Sequence, residues 1–432
     1  MASIYRFLSI VRLFRELKPT DYLIVFIFIS LPLKNIDISI STILFIIWSY
    51  FFSKKRFNFR KTFFIPISFF VLMASSLLWS YNFDRTLLGI QKQLPFLFIP
   101  IAFLITEKVT QERLLKIFRI YSFSITFFAV LLVINAFLQY FKTNDTGVFF
   151  YNKLVPSDPG VVYLSVFASF AVFYFIQIHF KNSIEKLSIL ILAIVIFLLS
   201  SKSIITIDFI IIVCYYTFFA RIPSSIKTIT VLTVSVFLFV SLYFVKEVRE
   251  RFLMEYETAF IDNTVNTKLS TNRQSLKQVS LKEAWNKSEF QYNDFFPGTA
   301  LRTYQIRVFC EIVSQNPQII LSGFGLEASQ EAIAIKSEEH NINPVYAQHN
   351  FHNQYIQCLA EFGIIGLIIL IAMLFISLQN AINNKDFLHI AFAITMLMLF
   401  LSESFFCRQR GITFFIILFC LFNSNQTKEI QK

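Results

Sequence analysis

Residues 349–370 read HNFHNQYIQCLAEFGIIGLIIL. A polar head with two His-Asn pairs runs straight into an apolar tail whose only charge is Glu361. The apolar run extends from about residue 357 to 380, and a helix needs roughly 20 apolar residues to cross a bilayer core. The rest of the chain has the same character. Of its 432 residues, 56% are hydrophobic and 56 are phenylalanine, and only 15% are charged, against roughly 25% in ordinary soluble domains. Such a chain is expected to be an all-α polytopic membrane protein.

Apolar stretches fall near 20–34, 37–53, 62–80, 90–107, 117–141, 160–180, 185–201, 203–220, 226–246, 357–380, 385–402 and 410–424, which predicts about twelve spans. The run from about 185 to 220 is longer than one crossing and divides near Lys202. The net charge of +12 fits topology rather than nucleic acid, because lysine and arginine crowd cytoplasmic loops. With the N-terminus (Arg6, Arg12, Arg15, Lys18) inside, the loops carrying Lys54, Lys55, Arg56, Arg60 and Lys61, then Lys108, Arg113, Lys116 and Arg119, then Lys181, Lys186, Arg221, Lys227 and Lys385 all lie inside. No cleavable signal is evident. An even span count brings the C-terminus back to the cytoplasm. The expected division is residues 1–246 as an N-terminal bundle of about nine spans, 247–356 as one large hydrophilic outer loop, and 357–432 as a C-terminal bundle of about three.

Within the loop, RTYQIRVFCEIVSQ (302–315) has helical apolar spacing. Asn316-Pro317 should stop that helix, and Ser322-Gly323-Phe324-Gly325 reads as a tight turn. The stretch 264–295 reads as a mobile or irregular lobe. Asp158 and Pro159 read as shaping an outer turn. The five cysteines show no CxxC or metal spacing and read as small apolar side chains. Walker A, GxGxxG, HExxH and GxSxG motifs are absent.

If the helix starts at His352, then His352, Ile356, Leu359, Gly363 and Gly366 share one face at 100° per residue. The glycines would let that face pack closely on a neighbour. Glu361 falls opposite and needs a partner or water. The plain alternative is that His352 and Asn353 only satisfy backbone groups at the loop-to-helix junction.

His352-Asn353, nine residues, Gly363, two residues, Gly366 resembles the signature of the O-antigen ligase superfamily. His349 does not fit that spacing, since Ala360 stands at the corresponding place. The resemblance extends to the large late loop, its arginine-bearing helix ending at Pro317, and the turn at Gly323-Phe324-Gly325. It implies a GT-C-like, metal-independent glycosyltransferase without cofactor, in a bacterial inner membrane, with the loop in the periplasm. A glycan on undecaprenyl diphosphate would pass to an acceptor hydroxyl. In a ligase the acceptor is lipid A–core; in a polymerase it is another lipid-linked unit; some relatives modify proteins.

Such chemistry asks for a base or hydrogen-bonding group, here His352, and fixed cations for the diphosphate. Arg302 and Arg307 are alternatives for the family's loop arginine. Lys202 sits at an outer turn where relatives carry arginine, and Arg408, Arg410, Arg85 and Lys92 are further outer cations. For each, a snorkelling or solvated charge is the competing reading. Asn353, Gly363, Gly366 and Tyr355 would support the site, with Tyr304 and Tyr346 as possible path-lining rings, and Glu403 would pair with Arg408 or Arg410. From other classes, a transporter would show repeats and mid-membrane polar groups, and a scaffold would tolerate loss of His352.

Overall fold

A computed structural model describes residues 17–53, 60–155, 159–262, 264–266 and 276–424. Arg6, Arg12, Arg15, Lys54, Lys55, Arg56 and Asp158 lie outside the described residues. The chain is mostly helical, and every apolar stretch named above contains a helix. Five helical segments are long and apolar enough to cross a membrane: Lys61–Leu78, Phe83–Ile105, Gln111–Thr143, Lys202–Phe219 and Gln354–Asn384. Shorter apolar helices include Pro19–Ser30, Asn35–Phe51, Val161–Gln177, Phe387–Leu399 and Gln409–Ser424.

Two of the shorter helices form the centre, α1 (Val161–Gln177) and α6 (Gln409–Ser424), each buried around almost its whole circumference. Phenylalanine fills the space between them, with Phe414 against Phe167 and Phe170 at centroid distances of 5.0 and 5.4 Å. Outer helices keep apolar side chains on the side facing away from the protein. Phe127, Leu131, Ile134 and Leu138 make such a stripe on Gln111–Thr143, as expected where lipid is the solvent. Some charged groups inside the bundle form interhelical pairs. Arg113 clasps Asp21 through Nε (2.6 Å) and Nη2 (2.5 Å), and Arg119 meets Glu185 at 3.1 Å. Both arginines were read as loop charges and serve also as interhelical ties.

The run at 183–219 divides as its length requires. Helix Ser183–Leu199 stops where Ser200 turns left-handed (φ 51°), and α2 (Lys202–Cys214) starts two residues later. Beyond the apolar helix Ser224–Phe244, one residue leads into α3 (Lys246–Phe260). The polar segment that follows has its own core of Phe290, Phe296, Tyr304, Val308, Ile312 and Phe324. Its long helix, α4 (Gly298–Gln315), ends before Asn316-Pro317, where proline forbids the next turn.

Two expectations need correction. The chain is not purely helical. Three short strands, Thr264–Asn266, Leu276–Gln278 and Asp294–Phe295, form a sheet in that order, antiparallel then parallel. A helix at Leu281–Asn286, capped by Ser280 and Glu283, lies between them, so the described part of 264–295 is ordered rather than irregular.

The second correction concerns the glycine face. The helix, α5 (Gln354–Asn384), begins after His352, and Asn353 caps it by accepting from the Tyr355 and Ile356 N–H groups. It is also broken at Gly363 (φ 63°, ψ −162°). The single stripe from His352 to Gly366 therefore does not exist. Gly363 packs instead against the backbone of Ile320 and Leu321, and a Cβ on Gly323 would overlap the backbone of Glu361 and Phe362. The break frees carbonyls that the glycine turn takes up. Phe324 N–H donates to Ala360 O (2.8 Å) and Gly325 N–H to Glu361 O (2.9 Å). Glu361, 4% exposed, finds its partners in Gln357 Nε2 (2.6 Å) and Glu327 N–H (3.0 Å).

Both glycines hold positive φ against a neighbouring backbone that cannot retreat. Gly323→Ala or Gly363→Ala should each destabilise the protein by on the order of 2 kcal/mol or more, read as a lower unfolding temperature of the solubilised chain.

Candidate active site

The junction after His349 is held by the hairpin that connects Phe387–Leu399 to α6. Asn353 N–H donates to Ser404 Oγ (3.1 Å) and its amide to Leu401 O (3.2 Å). Gln354 N–H donates to Phe400 O (2.8 Å), Phe406 N–H donates to the Gln354 side chain (2.7 Å), and the Tyr355 hydroxyl reaches Leu397 O (2.9 Å). Tyr355 is thus a brace between helices.

These bonds fix His352 in a left-handed conformation (φ 46°), uncommon for a residue with a side chain. The Asn350 side chain accepts from its N–H at 2.9 Å. Its Nδ1 is buried without a hydrogen-bond partner and lies 3.9 Å from Glu403 Oε2. That is beyond hydrogen-bond length, but catalytic contacts often tighten only when substrate binds. Glu403 therefore faces His352, where the sequence suggested Arg408 or Arg410. The His349 ring stands 5.4 Å from that of His352.

Glu403 also lines a cavity of about 290 Å³ between the polar segment and the same end of the helices. Three cations reach its wall: Lys202 from the start of α2, Arg251 from α3 and Arg302 from α4. Arg302 Nε donates to Ser402 O at 2.8 Å, next to Glu403. Arg251 stacks on Tyr151, 3.5 Å from the ring centroid, and its Nη1 is buried without a hydrogen-bond partner. Lys202 Nζ is 2.7 Å from Glu255 Oε1, and the Thr299 hydroxyl bonds the same carboxylate. Burial raises the Glu255 pKa, but the bonds from Lys202 and Thr299 and the charges of Lys202 and Arg302 outweigh it and hold the group below the usual carboxylate range.

Of the proposed cations, Lys202 and Arg302 meet in this cavity. Arg307 does not; it is a strut of the polar segment, bonded to Glu311 (2.7 Å) and to the carbonyl of Lys287 (2.6 Å). Arg410 is 1% exposed and donates to Asn35 Oδ1 at 3.0 Å. Arg408 and Arg85 are exposed, and Lys92 pairs with Glu327 at 2.8 Å. Gly366 packs under its own Phe362. Tyr304 and Tyr346 belong to the loop core, bonded to His340 and Phe296 N–H. Among the described residues no group of three His, Cys, Asp or Glu side chains could hold a metal ion. The sequence reading missed Arg251 and Glu255. Their spacing of four was the available signal, since it puts both on one face of α3.

Glu403 links the two features: it lines the cavity with the three cations and faces the His352 imidazole at 3.9 Å, so a group able to accept a proton stands next to a wall able to hold an anion. Fold and cavity together define a polytopic helical membrane protein with a charged cavity between its bundle and its polar segment. Residues 187–371 match the family model described as O-antigen ligase, and the chain carries a domain of that superfamily, a class of O-antigen ligase or polymerase-type membrane enzymes. No curated protein matches the chain. The matched stretch includes Lys202, Arg251, Glu255, Arg302 and His352, and stops short of Glu403.

Burial pulls both His340 and His349 below the ordinary histidine range, opposed by Glu311 at His340 and by Glu403 at His349. The folded protein then binds fewer protons than the unfolded chain. The stability from each is present above about pH 6.5 and is lost as pH falls below it, by at most about 1.4 kcal/mol per pH unit. Unfolding temperatures should fall between pH 7.5 and 5.5, and His340→Gln should flatten that slope.

Proposed function

We propose that the chain is an O-antigen ligase-type glycosyltransferase. It moves a glycan from undecaprenyl diphosphate to lipid A–core at the periplasmic face of the bacterial inner membrane. Both termini are cytoplasmic, and about twelve helices span. The observation that carries this reading is the His352–Glu403 pair bordering a cavity whose wall holds Lys202, Arg251 and Arg302.

His352 accepts the proton of the acceptor hydroxyl as its oxygen attacks the anomeric carbon. The bond from that carbon to the diphosphate oxygen breaks, and the lipid diphosphate leaves with the electron pair. Lys202, Arg251 and Arg302 hold the diphosphate and stabilise its growing charge. The unpartnered Nη1 of Arg251 supports an anion there, because a buried donor left unbonded is costly. Glu403 orients the imidazole and stabilises its protonated form. Asn353 places the histidine, and Gly363 places the helix beneath it.

With purified protein and a lipid-linked donor, His352→Ala should lower turnover by about 10²–10⁴-fold with donor binding retained. Glu403→Gln should lower kcat with little change in KM. Full activity in a folded His352→Ala protein would overturn the assignment. In cells lacking the chain, bare core with long polymer stranded on the carrier is the ligase outcome. Core bearing a single repeat unit would reassign the chain as a polymerase. Unchanged glycans in both pools would remove the glycosyltransferase reading and favour a transporter.

A further inference from the structure

Two carboxylates line the cavity, and the chemistry above uses only Glu403. Glu255 is bonded to Lys202 Nζ (2.7 Å) and to the Thr299 hydroxyl. It also flanks Gly298, where a Cβ would lie 3.3 Å from Arg302 Nη1 and 3.7 Å from Glu255 Oε1. Its carboxylate thus sits among the donors that a phosphate group entering the cavity would seek. Without it, Lys202, Arg251 and Arg302 would share a wall around about 290 Å³ with Glu403 as the other carboxylate of the lining.

We infer that Glu255 is a built-in stand-in for the anionic headgroup: it neutralises Lys202 while the cavity is empty, yields Lys202 to the diphosphate, and hastens release of the spent lipid diphosphate. This rests on the diphosphate reading of the cavity. The donor is a diphosphate diester. The product is a monoester with one more ionisable oxygen, hence more negative charge near neutral pH. A fixed carboxylate repels the product more than the donor, so its effect falls on the step that clears the site.

The experiment uses the full chain in lipid nanodiscs with farnesyl diphosphate, a monoester probe. Glu255→Gln preserves shape and should tighten probe binding by about fivefold or more, less so in high salt. Glu255→Asp, which keeps the charge, should bind like the parent, and Arg302→Ala should bind more weakly. A second comparison does not depend on how the single glutamine variant folds. Lys202→Met alone leaves Glu255 uncompensated and should bind more weakly than Lys202→Met combined with Glu255→Gln. Glu255→Gln binding that is unchanged or weaker, or equal affinity in the single and double Lys202 variants, would overturn the inference while leaving the diphosphate site intact. If the parent chain fails to bind the probe and Arg302→Ala makes no difference, the diphosphate reading itself falls, and this inference with it.

Discussion

The arrangement depends on an exchange of backbone hydrogen bonds at Gly363. A helix interior normally satisfies its own carbonyls. Here the left-handed glycine interrupts the ladder, and Ala360 and Glu361 present their oxygens to the N–H groups of Phe324 and Gly325. The polar segment is thereby joined to an apolar helix through main-chain atoms, a contact that leaves little room for sliding. Trp79 donating to Ser322 O, Tyr81 N–H donating to Phe324 O, and Thr86 donating to Leu326 O secure the same turn from the other side.

That junction gives the ionisable groups a common frame. Asn353, next to His352, is tied to the hairpin at 401–404, and Arg302 is tied to the same hairpin through Ser402. The histidine junction and the Arg302 wall of the cavity therefore share one support. α4 carries two arginines with different tasks, set by which way each faces. Arg307 turns inward to carbonyls of its own segment, and Arg302 turns to the cavity. They stand five positions apart on the helix, so they point in well-separated directions.

Much of this was legible in the sequence for physical reasons. Apolar runs of bilayer length mark helices because lipid leaves the backbone few alternatives. Pro317 marked the end of α4, and Gly323 and Gly325 marked a turn because proline and glycine act through their own backbone chemistry. Lys202, Arg302 and Glu403 are legible as polar groups beside apolar runs, and they line one cavity, with His352 facing Glu403. What was not legible depended on contacts between distant segments. A glycine in an apolar helix reads as a packing surface, and only the docked turn reveals Gly363 as a break. Arg251 and Glu255 lie in a charged stretch that reads as solvated until the cavity wall is seen. The strands are two or three residues long, too short for an alternation pattern to register.

The bond from Arg302 to Ser402 O has a further consequence. A carbonyl is a dipole, and it can aim a guanidinium without cancelling its charge. Lys202 is aimed by a full opposite charge, which extinguishes most of its field at a distance. The two cations thus enter the same space differently held: Lys202 in direct contact with the Glu255 carboxylate, and Arg302 aimed by a carbonyl while acting on Glu255 from farther off.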